Sequence, residues 1–252
     1  MAAVVGPPGG QESWGHLPRE TQGADVGARD RGLWLTDPTH RADLTMFAER
    51  AHRLDDAAVI RLRARSDGMV GAWVATNFDV LAARAVHGTV RPVDLSVGAD
   101  ALLRGLQNPD RSGFVDPGFG MDSSWRGALP PEAGFAHLDD VPARVMLDLA
   151  QRGVALAREH GSGQGPPVSL LDQEVISVSA AAGTVGIPMR CVFALTAMRF
   201  LPQSTAGDDE FAPESVSADE IVRVRVLPAW LRIDARFGSV YRRRGDPALV
   251  LR

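Results

Sequence analysis

Apolar residues change their spacing several times along this chain, and each change marks a new element. Leu44, Phe47, Ala48, Ala51 and Leu54 return at helical intervals, and Asp37-Pro38 ahead of them supplies a cap and a first-turn proline. From Ala58 to Arg65 the period drops to two, the signature of a strand with one face buried. Ser66-Asp67-Gly68 then predicts a hairpin turn, with Gly68 at the left-handed position, and Met69 to Ala75 pairs back. Val80 to Val86 and Val90 to Val97 predict two further strands, and Gly98 to Gln107 a short helix carrying Leu102, Leu103 and Leu106.

The second half uses the same vocabulary. Asp140 and Pro142 predict the start of a helix running to about His160, with Val141, Val145, Leu149 and Leu156 near one face. Glu174 to Ser179 and Thr184 to Ile187 predict a strand pair around Ala182-Gly183, and a helix follows from Pro188 to about Phe200. Ile221 to Leu227 and Trp230 to Phe237 predict two strands bent apart at Pro228, with Phe237-Gly238-Ser239-Val240-Tyr241 continuing the second through a kink. The fold class that follows is α+β: a mostly antiparallel sheet in two adjoining helix-plus-strand units. A duplication is one expectation, since Val93–Leu106 and Val185–Met198 share apolar positions at an offset of 92.

Residues 1–32 hold seven glycines and three prolines with few large apolar side chains, a composition that predicts a disordered leader. The expected organisation is then a first unit over 33–107, a Gly/Pro/aromatic connecting loop over 108–140, a second unit over 141–244 and a tail over 245–252. Gly161 to Pro167 reads as a linker: its glycines lack dinucleotide-loop spacing and follow a helix instead of a strand.

Composition narrows the chemistry. All 27 basic residues are arginine; lysine is absent from the 252 residues. That removes phosphate-loop lysines, Schiff bases and Ser-Lys dyads. One cysteine, Cys191, permits no intrachain disulfide and no cysteine zinc cage, and it reads as a small buried hydrophobe. The six histidines show no ligand spacing, so no metal and no cofactor is expected. Asn108 to Asp116 imitates the first nine positions of an EF-hand loop, but position twelve is Phe119, and a surface turn is the better account. No apolar run approaches a membrane span or a secretory signal, and a cytoplasmic location is expected.

What remains is arginine placement. Arg61, Arg63 and Arg65 fall on one face of a strand, as do Arg223 and Arg225, and Arg232 and Arg236. From Ile221 onward eight arginines stand against two aspartates. Arg223, Arg225, Arg232 and Arg236 are therefore candidates for anion or nucleic-acid binding, although the net charge of −4 disfavours a general polyanion binder. A solvated face partly neutralised by the acidic stretch Asp208–Glu220 is the competing account. Trp125 and Arg126, in the aromatic loop, are candidates for partner binding.

The segments Leu129-Pro-Pro-Glu-Ala-Gly-Phe135, Asp139-Asp-Val-Pro-Ala143, Ala194-Leu-Thr-Ala-Met-Arg-Phe-Leu201 and Phe237-Gly-Ser-Val-Tyr241 resemble a family of uncharacterised actinobacterial proteins over roughly residues 33–244. The resemblance implies a two-part globular protein and supplies no functional residues. The functional expectation is a non-catalytic binding or assembly module whose partner is another protein or a second copy. Nucleic-acid binding through the arginine face is one alternative, and a small enzyme using central-loop carboxylates (Asp116 and Asp122, with Arg126) is another.

Overall fold

The computed structural model describes Met1 and residues 30–160, 165–180, 183–202 and 213–245. Most of the leader, part of the 161–167 linker, Ala182, part of the acidic stretch and the tail beyond 245 lie outside the described residues. The chain opens with β1 (Gly32–Trp34) and α1 (Pro38–Leu54), and Asp37 caps the helix by accepting the Thr39 N–H at 2.7 Å. The strands β2 (Val59–Ala64), β3 (Met69–Ala75) and β4 (Leu81–His87) follow as a meander. Then come β5 (Thr89–Arg91), β6 (Asp94–Gly98), α2 (Ala99–Gln107) and β7 (Phe114–Val115). The second half contains β8 (Ala136–Pro142), α3 (Ala143–His160), α4 (Val168–Leu171), β9 (Glu174–Ala180), β10 (Gly183–Pro188) and α5 (Met189–Ala197). It closes on a second meander of β11 (Ile221–Leu227), β12 (Trp230–Ala235) and β13 (Gly238–Arg243).

Eight of these strands form one antiparallel sheet in the order β6-β2-β3-β4-β13-β12-β11-β8. Two smaller sheets, β5-β1-β7 and β10-β9, flank it. The helices pack on one face, α1 against α2 and α3 against α5. The α+β class, the antiparallel pairing and the two helix-plus-strand units all stand.

Four element-level expectations change. The strand predicted over Val90–Val97 is two strands, because Pro92 has no N–H to give a ladder. Asp140 and Pro142 do not open a helix; they lie in β8, where Asp140 pairs with Arg223 and Pro142 with Ile221, and α3 starts at Ala143. An N-cap pattern is overridden there by a strand edge that only the fold brings near. Phe237–Tyr241 is not a kinked continuation: the chain reverses at Arg236-Phe237 and Gly238 begins β13. The fixed offset of 92 fails too, because it equates β6 of the large sheet with β10 of a separate hairpin.

The equivalence that the pairing does support runs between the two meanders. Exchanging β4 with β13 about their central Ala82–Val240 pair matches Leu81 to Ser239 and Ala83 to Tyr241. Carried outward by register, it matches Ala75 to Asp234, Trp73 to Arg232 and Arg61 to Arg225. On the helix-facing side Ile60 and Val224, Val74 and Ile233, and Ala72 and Leu231 are equivalent, and all six are buried. The sheet is thus two copies of one meander joined edge to edge across an internal two-fold axis.

Two arginines bolt this seam, one near each end. Arg84 on β4 donates to the Phe237 carbonyl of the opposite unit at 2.9 Å and pairs with Asp43 of α1 at 2.6 Å. Arg190 on α5 donates to the Phe78 carbonyl at 2.7 Å and pairs with Asp172 at 2.5 Å. Ring contacts continue the join beneath the sheet, Phe47 on Phe200 at 6.3 Å and Phe78 on Phe193 at 5.9 Å. Gly238 is required here, since a Cβ would lie 2.5 Å from the Phe200 ring.

Candidate functional site

The face of the large sheet opposite the helices carries the arginine rows, because strict alternation sends Val222, Val224 and Val226 into the core and Arg223 and Arg225 outward. The connection between α2 and β8 crosses this face as a strap. Trp125, Leu129 and Phe135 pack over a second small core of Trp73, Ala83, Trp230 and Tyr241. Three polar contacts pin the strap. The Arg61 guanidinium lies 5.7 Å from the Trp125 ring centre, and Arg232 lies 5.5 Å from that of Phe135. Glu132 accepts from the Ser66 hydroxyl at 2.7 Å and from its N–H at 3.2 Å, which holds the Glu132 carboxyl below the usual range.

Concavities lie at both ends of the seam. The first gathers all four candidate anion-binding arginines. Arg223, Arg225, Arg232 and Arg236, with Arg84 at the rim, line a cleft of 370 Å³ in which Asp43 and Asp234 are the acids among the described residues. It runs into a further hollow of 450 Å³ bounded by Asp219 and Glu220. Asp234 is the hub of the cleft: it accepts from Arg225 Nη1 at 2.6 Å, Arg232 Nε at 2.6 Å and Ser239 Oγ at 2.5 Å. Arg236 is held by Glu220, whose hydrogen bonds raise the guanidinium pKa still further. Arg223 is the loosest, 3.9 Å from Asp140 with 56% of its side chain exposed. The arginines therefore converge on one surface, and the solvated-face account understates how much of their charge is held in local pairs.

The second concavity, 200 Å³, is lined by Ala75, Thr76, Val80, Leu81, Trp230 and Tyr241, with Arg126 of the strap, Arg243 and Asp79 around it. Trp230 and Tyr241 form its apolar side, and burial pushes the Tyr241 hydroxyl pKa up. Arg126 thus joins this cavity, while its neighbour Trp125 is half-buried as a strap anchor. The two concavities occupy equivalent places under the internal two-fold: Ala75, Val80 and Leu81 of one correspond to Asp234, Gly238 and Ser239 of the other. This relation could not be found from the sequence, since it depends on β4 pairing with β13, more than 150 residues away.

The other candidates resolve into structural roles. Asp110 Oδ1 accepts from Ser112 N–H, Ser112 Oγ and Phe114 N–H, so the EF-hand-like stretch is an Asx-type turn. Asp116 caps Gly118 and Asp122 accepts from Ser96 N–H at 2.7 Å, so neither carboxylate lines the cavity that holds Arg126. Cys191 is buried, and burial pushes its thiol to about 12. His40 and His87, separate in sequence, bring their rings to 4.7 Å. Among the described residues no group of three or more His, Cys, Asp or Glu is placed to hold a metal ion, and no helix is long and apolar enough to cross a membrane.

No curated protein matches the chain. Among solved structures, a putative DNA polymerase III beta subunit from Eubacterium rectale is 9% identical with a TM-score of 0.50, covering 85% of this chain. The chain spans 65% of that protein's length. DNA polymerase sliding clamps from Caulobacter crescentus (12% identical, TM-score 0.47, 84% of this chain and 67% of that one) and Bacillus subtilis (10%, 0.48, 84% and 66%) are similar too. Identities this low speak to the fold alone. Residues 28–127 match a family model described as Domain of unknown function (DUF8010), and residues 130–247 match a second, Domain of unknown function (DUF8185). The two halves of the chain thus each resemble a family of unknown function, and the chain is similar in fold to a putative DNA polymerase III beta subunit.

Proposed function

We propose that this protein is a non-catalytic binding or assembly module that docks a protein partner on the outer face of its sheet, in the cavity between the strap and the end of the seam. The observation that carries this is the cavity itself: Trp230, Tyr241 and Leu81 give it apolar walls, while Arg126 and Arg243 stand beside them as donors. Its 200 Å³ suit one or two inserted side chains better than a drug-sized ligand, for which about 300 Å³ or more is usual. A large apolar residue in the cavity, with polar contacts to the guanidinium groups, matches the anchor-and-rim anatomy of protein interfaces. The fold similarity to a putative DNA polymerase III beta subunit supports an assembly role.

Peptide display against the immobilised protein tests this reading. Enriched sequences should carry a large apolar residue, and their binding should be lost in Ala75→Arg, which fills the cavity from the exposed end of β3. Enrichment of peptides that bind Ala75→Arg as well as the parent protein would defeat the reading.

Two further partners belong to the same proposal. A second copy could pair along β8, the terminal strand of the large sheet, whose partner strand among the described residues is β11. Nucleic acid is the other and the less favoured, supported by the same fold likeness. A cytoplasmic setting fits a chain with a single buried thiol.

A further inference from the structure

We infer that the basic cleft at the opposite end of the seam is a second docking site, and that its ligand is an acidic protein segment, a short run of Asp and Glu side chains. The inference is separate from the aromatic cavity and does not need it. The cleft already shows how it would hold a carboxylate. Asp234 sits within it on three donors from Arg225, Arg232 and Ser239, at 2.5 to 2.6 Å, in the short range of charge-assisted hydrogen bonds. Asp234 and Glu220 do not satisfy the whole wall. Glu220 already holds Arg236 through Nε and Nη2, but Arg223 reaches Asp140 only at 3.9 Å and keeps 56% of its side chain exposed. Its planar fork can take a further carboxylate two bonds at a time.

The surroundings choose between acidic protein and nucleic acid. A single-stranded nucleic acid needs aromatic faces on which bases stack. Of the aromatic residues near the cleft, Tyr241 is 4% exposed beneath Phe135 and Trp230 is 9% exposed, which leaves Phe237 at the rim, 37% exposed, as a single stacking face where a strand of bases needs several. Acids also border the cleft: Asp219 and Glu220 on one side, Asp140 of β8 on another. A long phosphate backbone would have to pass them. A short acidic segment meets the arginines without running along that border.

Fluorescence anisotropy with a labelled Asp-Glu repeat peptide tests the site, with labelled oligo-dT measured beside it. The peptide should bind at low salt, weaken as salt rises, and bind Arg223→Glu about tenfold less well, the size of one lost charge-assisted hydrogen bond. Arg223 is exposed, so the melting temperature of Arg223→Glu should match the parent's and rule out misfolding as the cause. Ala75→Arg should bind the acidic peptide normally, which separates failure of this site from failure of the aromatic cavity. Absence of peptide binding at low salt would overturn the inference, as would binding unaffected by Arg223→Glu. Oligo-dT binding as tightly as the peptide and competing with it would overturn it in favour of nucleic acid.

Discussion

The two ends of the seam are built on equivalent backbone and do different chemistry. At one end, Ala75, Val80 and Leu81 frame an aromatic cavity; at the other, Asp234, Gly238 and Ser239 frame a basic cleft. Beneath each end an arginine crosses the seam to a carbonyl of the opposite unit, Arg190 to Phe78 and Arg84 to Phe237. The lesson concerns a repeated meander. Its inward positions are held to buried aliphatic residues by the shared core, whereas its outward positions can diverge into two sites.

The bolts are the first place to break the comparison. Arg190 is 7% exposed and joins Asp172, the Phe78 carbonyl and, at 3.5 Å, Asp79, so its removal gives up three polar contacts and the packing of a buried side chain, although Asp172 keeps Arg242 at 3.5 Å. Arg190→Ala should cost about 3 kcal/mol in urea denaturation, and a loss under about 1 kcal/mol would show that the aromatic end does not depend on it. Arg84→Ala should cost less, about 2 kcal/mol, because it gives up one carbonyl and one carboxylate where Arg190 gives up a carbonyl and two carboxylates. An equal or larger loss for Arg84 would reverse the ranking of the two ends. Gly238→Ala, which drives a methyl group into Phe200, should cost about 1–2 kcal/mol and act at the basic end alone.

The strap that separates the two sites gives a smaller, pH-dependent test. The Ser66 contacts lower the pKa of Glu132 in the folded protein relative to the unfolded chain. Their contribution is therefore complete above the ordinary carboxylate range and disappears as pH falls through the lowered value. Glu132→Gln should melt slightly below the parent at neutral pH, by less than about 1 kcal/mol, and the gap should close in acid. A gap that widens in acid would show that Glu132 does not tie the strap. The smallest expected effect is at Cys191: with its thiol at about 12 and buried, it should resist a disulfide reagent at mildly alkaline pH until denaturant is added. Fast labelling of the native protein would mean that the helix layer opens.

Much of the fold was legible in local spacing. The Asp37 cap, the Arg61-Leu62-Arg63 and Val222–Leu227 alternations and the Asp67-Gly68 turn each depend on neighbours within a few residues, and each appears where the pattern puts it. The site was legible only in pieces. Arg223, Arg225, Arg232 and Arg236 could be assigned to one face, but not to one cleft, because the cleft also needs the β12–β13 turn and Arg84 from the other unit. Arg126 could be suspected in a loop, yet the Trp230–Tyr241 cavity it joins is created by strands about 100 residues later. Asp140 and Pro142 misled because a helix start was the best local option, and β11 offered a better one at long range.

By itself the sequence determined which residues face inward, which basic group the chain uses everywhere, and that no disulfide can form within it. Those properties follow from side-chain period and chemical identity, which are fixed before folding. The tertiary structure alone decided that β4 meets β13, that two meanders face each other across a two-fold, and that one end became aromatic and the other basic. Strand pairing at such separation is set by the burial and register of the whole sheet, which no local window of sequence contains.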